Sequence, residues 1–180
     1  MLVSLQSRYV YERNAKRRCK HLMLINVQFA AAAGATVIAT TSSDSKAEKL
    51  KKLGAHHVIN YKNDPNWGET AKNLTSDKQG VHHVVEVGGP NTLAQSLKAI
   101  RVDGVISLIG FLAGMGGQEP SFLEVLGSVC MVRSVPVGSR FQFEEMNRAI
   151  EGNRIKPMVD EKVFKFGEVK QAYQYMVSLS

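Results

Sequence analysis

Two stretches twenty residues apart use the same joint. AAGATVIAT at 32–40 and KLGAHHVIN at 52–60 each pass from the end of a helix through Gly-Ala into a strand. Gly34 and Gly54 sit where a residue in the left-handed conformation can end a helix. The repeat commits the chain to alternating helix and strand. A helix is expected over 22–33, with Leu24, Val27, Phe29 and a run of alanines, followed by the strand ATVIAT at 35–40. The next helix is expected to open on a capping box formed by Ser45 and Glu48, with Ala47, Leu50 and Leu53 at helical spacing. HHVINY at 56–61 follows as a strand.

The alternation continues. A short helix is expected around Trp67 to Leu74, then the strand HHVVEVGG at 82–89 and an amphipathic helix at 91–101. VISLIGF after Gly104 is a nearly all-apolar strand, the pattern of a strand covered on both faces. Beyond the Gly-rich loop at 111–120 come a helix in SFLEVLGSVC, a strand in MVRSVPVGSR and an amphipathic helix in FQFEEMNRAIEGN. The tail is expected to hold a short strand, VDEKVF at 159–164, and a helix starting near Gly167. This order predicts an α/β fold, a doubly wound parallel sheet with right-handed crossovers. Ligands of such sheets bind past the carboxyl ends of the strands, so the residues there are the site candidates.

Composition narrows the classes. The 180 residues suffice for one domain with a core, and no apolar run is long enough to span a bilayer. Cys19 and Cys130 show neither zinc-ligand nor disulfide spacing, which points to a reducing, cytoplasmic setting. Part of the formal charge of +7 sits in RYVYERNAKRRCK at 8–20, with six Arg/Lys and one Glu. This segment reads as a solvated extension, or alternatively as a nucleic-acid patch or mitochondrial import signal. No other nucleic-acid motif supports the alternative.

The strand ends carry the functional signal. The 35–40 strand runs into Thr41-Ser42-Ser43-Asp44-Ser45-Lys46. A site for NAD ordinarily ends this strand in an acid that accepts from the ribose hydroxyls. Small hydroxyls with Lys46 nearby suit a 2′-phosphate instead, which favours NADP(H) over NAD(H). The same Ser and Thr residues would also serve simply as helix caps. Tyr61 ends the next strand, where it can stack on adenine, reach the 2′-phosphate or pack. Gly88 and Gly89 end the third strand and permit close backbone approach. Gly110-Phe111-Leu112 and Val137-Gly138-Ser139-Arg140 end the last two, where backbone groups can meet a nicotinamide carboxamide and Arg140 a phosphate or a surface acid. No HExxH, GxSxG or Cys/His pair appears, and the five histidines read as structural or surface residues.

NVQFAAAAGATVIATTSSDSKAEKLKKLGAHHVINY, VHHVVEVGGPNTLAQSLKAIRVDGVISLIGF, VPVGSRFQFEEMNRAIE and IKPMVDEKVFKFGEVKQAYQYM together resemble the medium-chain dehydrogenase/reductase superfamily, in its zinc-type alcohol dehydrogenase and quinone oxidoreductase-like branch. The resemblance runs from about residue 25 to the C-terminus. It implies a Rossmann cofactor domain and hydride transfer between NAD(P)H and an alcohol, aldehyde, ketone or quinone. It places Thr41, Ser42, Ser43, Lys46 and Tyr61 at the adenosine and 2′-phosphate site, and Gly110 to Leu112 and Val137 to Arg140 on the nicotinamide side. It also implies a dimer through the strand near Met131 to Val137.

Departures from the family set further expectations. The family's first strand and glycine loop belong just before Leu24, where RYVYERNAKRRCKHLM stands. The sheet is therefore expected to be incomplete at its first strand; the alternative is that MLVSL at 1–5, short and apolar, substitutes for it. The GroES-like catalytic domain and zinc ligands have no counterpart. Residues 1–21 are read as an atypical basic segment, 22–154 as the Rossmann-like domain and 155–180 as a remnant leading toward the catalytic domain. The resulting expectation is an NADP(H)-binding portion, truncated and inactive alone. The alternative is a non-catalytic partner subunit or a nucleic-acid-binding protein.

Overall fold

The computed structural model describes residues 9–11 and 20–178, apart from residues 112, 113, 115, 117, 118, 136 and 161, with side chains from residue 24 onward. Six parallel strands among the described residues form one sheet: β1 Tyr9–Tyr11, β2 Val37–Thr41, β3 His57–Asn60, β4 Val81–Glu86, β5 Ile100–Leu108 and β6 Met131–Ser134. Their order is β3-β2-β1-β4-β5-β6, the doubly wound arrangement. The helices are α1 Lys20–Ala32, α2 Asp44–Lys52, α3 Trp67–Asn73, α4 Pro90–Ala99, α5 Phe122–Gly127, α6 Arg140–Gly152 and α7 Val169–Ser178.

The centre of the sheet corrects the sequence reading. The first strand is present, as three residues among those described. Tyr9–Tyr11 pairs with Val37–Ala39 on one side and with His83–Val85 on the other. It comes from within the segment read as a basic extension, and residues 1–5 lie outside the described residues. Tyr-Val-Tyr is a strand-forming triplet, and the central position leaves inner amides unpaired unless a strand fills it. α1 likewise begins inside the basic segment, at Lys20.

The repeated joint is the same structure twice. Gly34 has φ 74° and Gly54 φ 108°. At the first joint the Gly34 amide donates to Ala31 O (2.9 Å) and the Ala35 amide to Ala30 O (3.0 Å). At the second, Gly54 donates to Lys51 O (3.0 Å) and Ala55 to Leu50 O (3.0 Å). Both are Schellman closures, which satisfy the last carbonyls of the helix and turn the chain into the next strand.

β2 is buried along its whole length because both faces are covered. Ile38 faces one core with Ile59, Trp67, Val84, Leu97 and Ile106, beneath α3 and α4. Val37 and Ala39 face the other with Val27, Ala30, Leu50 and Val87, beneath α1 and α2. This two-sided burial explains the nearly continuous apolar pattern of the inner strands.

Two local expectations fail. α2 starts at Asp44, with Ser43 as its N-cap, and Ser45 lies inside the helix. Ser43 is extended (φ −158°, ψ 149°), so the chain enters the helix there. Asp44 then places a negative charge in the first turn, where the helix dipole favours it. Glu48 pairs with Lys51 at 3.0 Å instead of reaching back to a cap. The described residues of 159–164 form no strand. Asp160 accepts the Lys162 amide (2.9 Å) and the Tyr175 hydroxyl (3.1 Å). The Lys162 ammonium lies 4.7 Å from the centroid of the Tyr175 ring and 5.1 Å from that of Phe164. These contacts tie the segment to α7 rather than to a sheet edge.

Candidate cofactor site

The carboxyl edge of the sheet carries two features, one on each side of β1. The first is the turn from β2 into α2. Thr41 is 1% exposed, and its hydroxyl faces the Ser43 carbonyl at 3.5 Å. Ser42, Ser43 and Lys46 are half-buried, so their polar groups border solvent. Lys46 Nζ lies 3.5 Å from Ser42 Oγ, and Ser43 Oγ lies 3.4 Å from Ser45 Oγ. Ser42, Ser43 and Lys46 therefore form an open cluster of hydroxyls and one ammonium, with Thr41 beneath as support. The strand ends without an acid at 41 or 42. An acid does stand close by, however. Asp44 accepts from Asn60 Nδ2 at 3.0 Å, so the carboxylate is held toward the end of β3. Tyr61 is half-buried and packs against the α3 and α4 core, which leaves only part of its side chain open to solvent.

The second feature is a cavity of about 420 Å³ past the ends of β4, β5 and β6. Gly89, Leu93, Leu108, Gly110 and Phe111 line it, with Glu119 as the one ionisable lining residue among the described residues. Of the sequence candidates, it gathers Gly110 and Phe111; Leu112 lies outside the described residues. Gly138, Ser139 and Arg140 stand apart, exposed at the start of α6. Ser139 caps that helix reciprocally with Gln142, and Arg140 pairs with Glu144 at 3.0 Å. Arg140 therefore meets a surface acid.

Beneath the cavity sits a residue the sequence reading overlooked. Glu86, at the end of β4, is fully buried. Its Oε1 accepts from Gly88 N (2.7 Å), Gly89 N (3.1 Å) and Thr92 Oγ1 (2.8 Å), and its Oε2 accepts from Ser96 Oγ. Four donors satisfy the carboxylate, as burial requires. The Gly88 and Gly89 amides accordingly point inward, and Gly88 is buried, so it shapes the turn instead of offering a donor to a ligand. The signal in the sequence was one acid inside HHVVEVGG, a strand otherwise fit for two-sided burial.

Three of the histidines make structural contacts. His56 Nδ1 accepts from the Val37 amide at 3.1 Å, and His82 Nε2 meets Arg101 at 2.9 Å. His83 Nε2 meets Ser107 Oγ at 2.9 Å between β4 and β5. Burial, and secondarily the Arg133 charge, hold the His83 pKa below its ordinary 6.5. The unfolded chain then binds more protons than the folded one as pH falls below that value. Stability attributable to His83 is full above it and declines as pH drops toward the folded pKa. Urea midpoints measured between about pH 7.5 and about pH 5.5 are expected to fall with pH, and less steeply in His83→Asn.

Comparison with known proteins settles the family. A family model described as zinc-binding dehydrogenase matches residues 23–152. The chain belongs to the zinc-binding dehydrogenase family. A zinc-type alcohol dehydrogenase-like protein of Schizosaccharomyces pombe is 46% identical over 156 residues, covering 84% of this chain and 44% of that protein. A 2-haloacrylate reductase of a Burkholderia species is 30% identical over 165 residues, covering 84% of this chain and 47% of the relative. The chain thus spans less than half the length of these curated relatives. Among solved structures, Escherichia coli quinone oxidoreductase complexed with NADPH superposes with a TM-score of 0.72, covering 97% of this chain and 54% of that one at 22% identity, a likeness of fold alone. The family is one of dinucleotide-dependent oxidoreductases. Among the described residues, no group of three or more His, Cys, Asp or Glu is placed to hold a metal ion, so these residues do not fit a zinc site. No described helix is long and apolar enough to cross a membrane.

Proposed function

We propose that this chain supplies the NADP(H)-binding side of an oxidoreductase of the alcohol dehydrogenase and quinone reductase type. The observation that carries the reading is the open cluster of Ser42, Ser43 and Lys46 where β2 ends without an acid. The hydroxyls donate to phosphate oxygens and Lys46 supplies the countercharge. The apolar cavity beside Gly110 and Phe111 suits the nicotinamide end. When bound, the nicotinamide gives or takes the hydride. The described residues contribute binding and exclusion of water. In this reading residues 22–154, together with Tyr9–Tyr11, make up the cofactor domain. The substrate class follows the relatives, a small alcohol, aldehyde, ketone, quinone or haloacrylate.

The same reading gives a dimer through the open edge at β6. Met131 and Val137 are exposed there, at 59% and 86%. Pairing with a second copy would cover that edge.

Fluorescence titration with NADPH and NADH tests the cofactor assignment. NADPH is expected to bind more tightly, and Lys46→Ala to weaken NADPH about tenfold while leaving NADH within about twofold. Equal binding of the two cofactors by the unaltered chain would overturn the phosphate assignment.

A further inference from the structure

We infer that Asn60 sets coenzyme choice by restraining Asp44. This rests on the reading of the Ser42, Ser43 and Lys46 cluster as the 2′-phosphate site. Asp44 is one residue beyond that cluster's serines and carries the nearest carboxylate in sequence. A carboxylate free to swing among those hydroxyls would repel a 2′-phosphate. It would also accept hydrogen bonds from the unmodified ribose of NAD(H), the task that a strand-end acid performs in NAD sites. The sequence thus holds an NAD-favouring group beside an NADP-favouring cluster, and the position of one side chain decides between them.

That position is fixed from the neighbouring strand. Thr41 and Asn60 are register partners at the ends of β2 and β3. The Tyr61 amide donates to Thr41 O at 3.0 Å, which brings the end of β3 against the turn into α2. The Asn60 carboxamide is itself oriented. Its Oδ1 accepts the Lys62 amide at 3.2 Å, which leaves Nδ2 directed at Asp44 Oδ1, 3.0 Å away. Asn60 is the right residue for this task, because an aspartate would keep the Lys62 contact but repel Asp44. A leucine would keep neither. The hydrogen bond draws the Asp44 charge toward β3 and occupies one of its oxygens. The neighbouring hydroxyls stay open to an anion. Asp44 is exposed, so its influence on a bound phosphate is a solvent-screened one that falls with salt.

A double-mutant cycle on the full chain tests the restraint, with dissociation constants for NADPH and NADH measured for the unaltered chain, Asn60→Ala, Asp44→Asn and the double variant. Asn60→Ala is expected to weaken NADPH about five- to tenfold, the size of a water-screened repulsion between one carboxylate and a phosphate a few ångströms away. It is expected to leave NADH unchanged or tighter. The double variant is expected to recover NADPH binding to within about twofold of Asp44→Asn, because removing the charge makes its restraint irrelevant. Raising the salt concentration is expected to shrink the Asn60→Ala effect. A double variant as weak toward NADPH as Asn60→Ala would overturn the proposal, since the loss would then come from a disturbed turn. So would an Asn60→Ala chain with an unaltered NADPH to NADH ratio. If the unaltered chain itself binds the two cofactors equally, the phosphate-site reading fails first and this proposal falls with it.

Discussion

Replacing Glu86 with alanine is expected to destabilise the fold by about 3–5 kcal/mol, the upper range for a single substitution, reached when several buried donors lose their acceptor and a void is left. The carboxylate is fully buried and accepts from two backbone amides and two hydroxyls. Alanine leaves the Gly88 and Gly89 amides without their acceptor and opens a void between β4 and α4. Each unmet buried donor costs about 1–3 kcal/mol. Glu86→Gln separates this account from simple packing. The glutamine oxygen can keep the three donors now on Oε1, and the Ser96 hydroxyl can turn to accept from the new amide group. Its cost is expected to be near 1 kcal/mol, the net worth of a typical hydrogen bond. Urea denaturation midpoints of the two variants decide the matter. Equal losses for alanine and glutamine would mean that charge, rather than the acceptor set, stabilises this turn.

Gly89→Ala is the second change expected to have a large effect. Gly89 has φ 89°, which an alanine adopts at a cost of about 1–2 kcal/mol. A Cβ there would also lie 2.8 Å from both Cα and Cβ of Phe111, and no flexible side-chain end is available to give way. Overpacking of this kind costs about 1–3 kcal/mol more. Together these give an expected loss of about 2–5 kcal/mol in a denaturation experiment. Gly89 and Phe111 both line the 420 Å³ cavity, so the same substitution is expected to weaken NADPH binding by more than the stability change alone would produce. A variant with normal stability and normal NADPH binding would show that the β4 and β5 ends separate easily.

The legible parts of this molecule are those written contiguously. The hydroxyl and lysine cluster spans residues 41–46, a single turn, and its chemistry could be read along the chain. The Gly-Ala joints were legible because a helix end is a local event with its own hydrogen bonds. The cavity was only half legible, because Leu93 on α4 meets Leu108, Phe111 and Glu119 only once the crossover from β4 through α4 to β5 is folded. Glu86 was missed because one acid in a strand says nothing about its donors until α4 packs above it. Asn60 was missed for the same reason, since its partner Asp44 is sixteen residues away. Tyr9–Tyr11 was hidden by its flanks. Three strand-forming residues among many cations read as a solvated arm, and only the vacancy at the centre of the winding order identifies them.

That short central strand has a mechanical consequence. A sheet is usually stitched most strongly through its middle, yet here, among the described residues, three make the backbone seam between the β2–β3 flank and the β4–β6 flank. The side chains span the seam more broadly. Ile38 and Ile59 from one flank share a core with Val84 and Ile106 from the other. The two flanks are therefore glued through their packed layer more than sewn through their ladder. Shear across the middle of this sheet is resisted mainly by apolar burial, which weakens on cooling, whereas a longer central strand would resist it with hydrogen bonds.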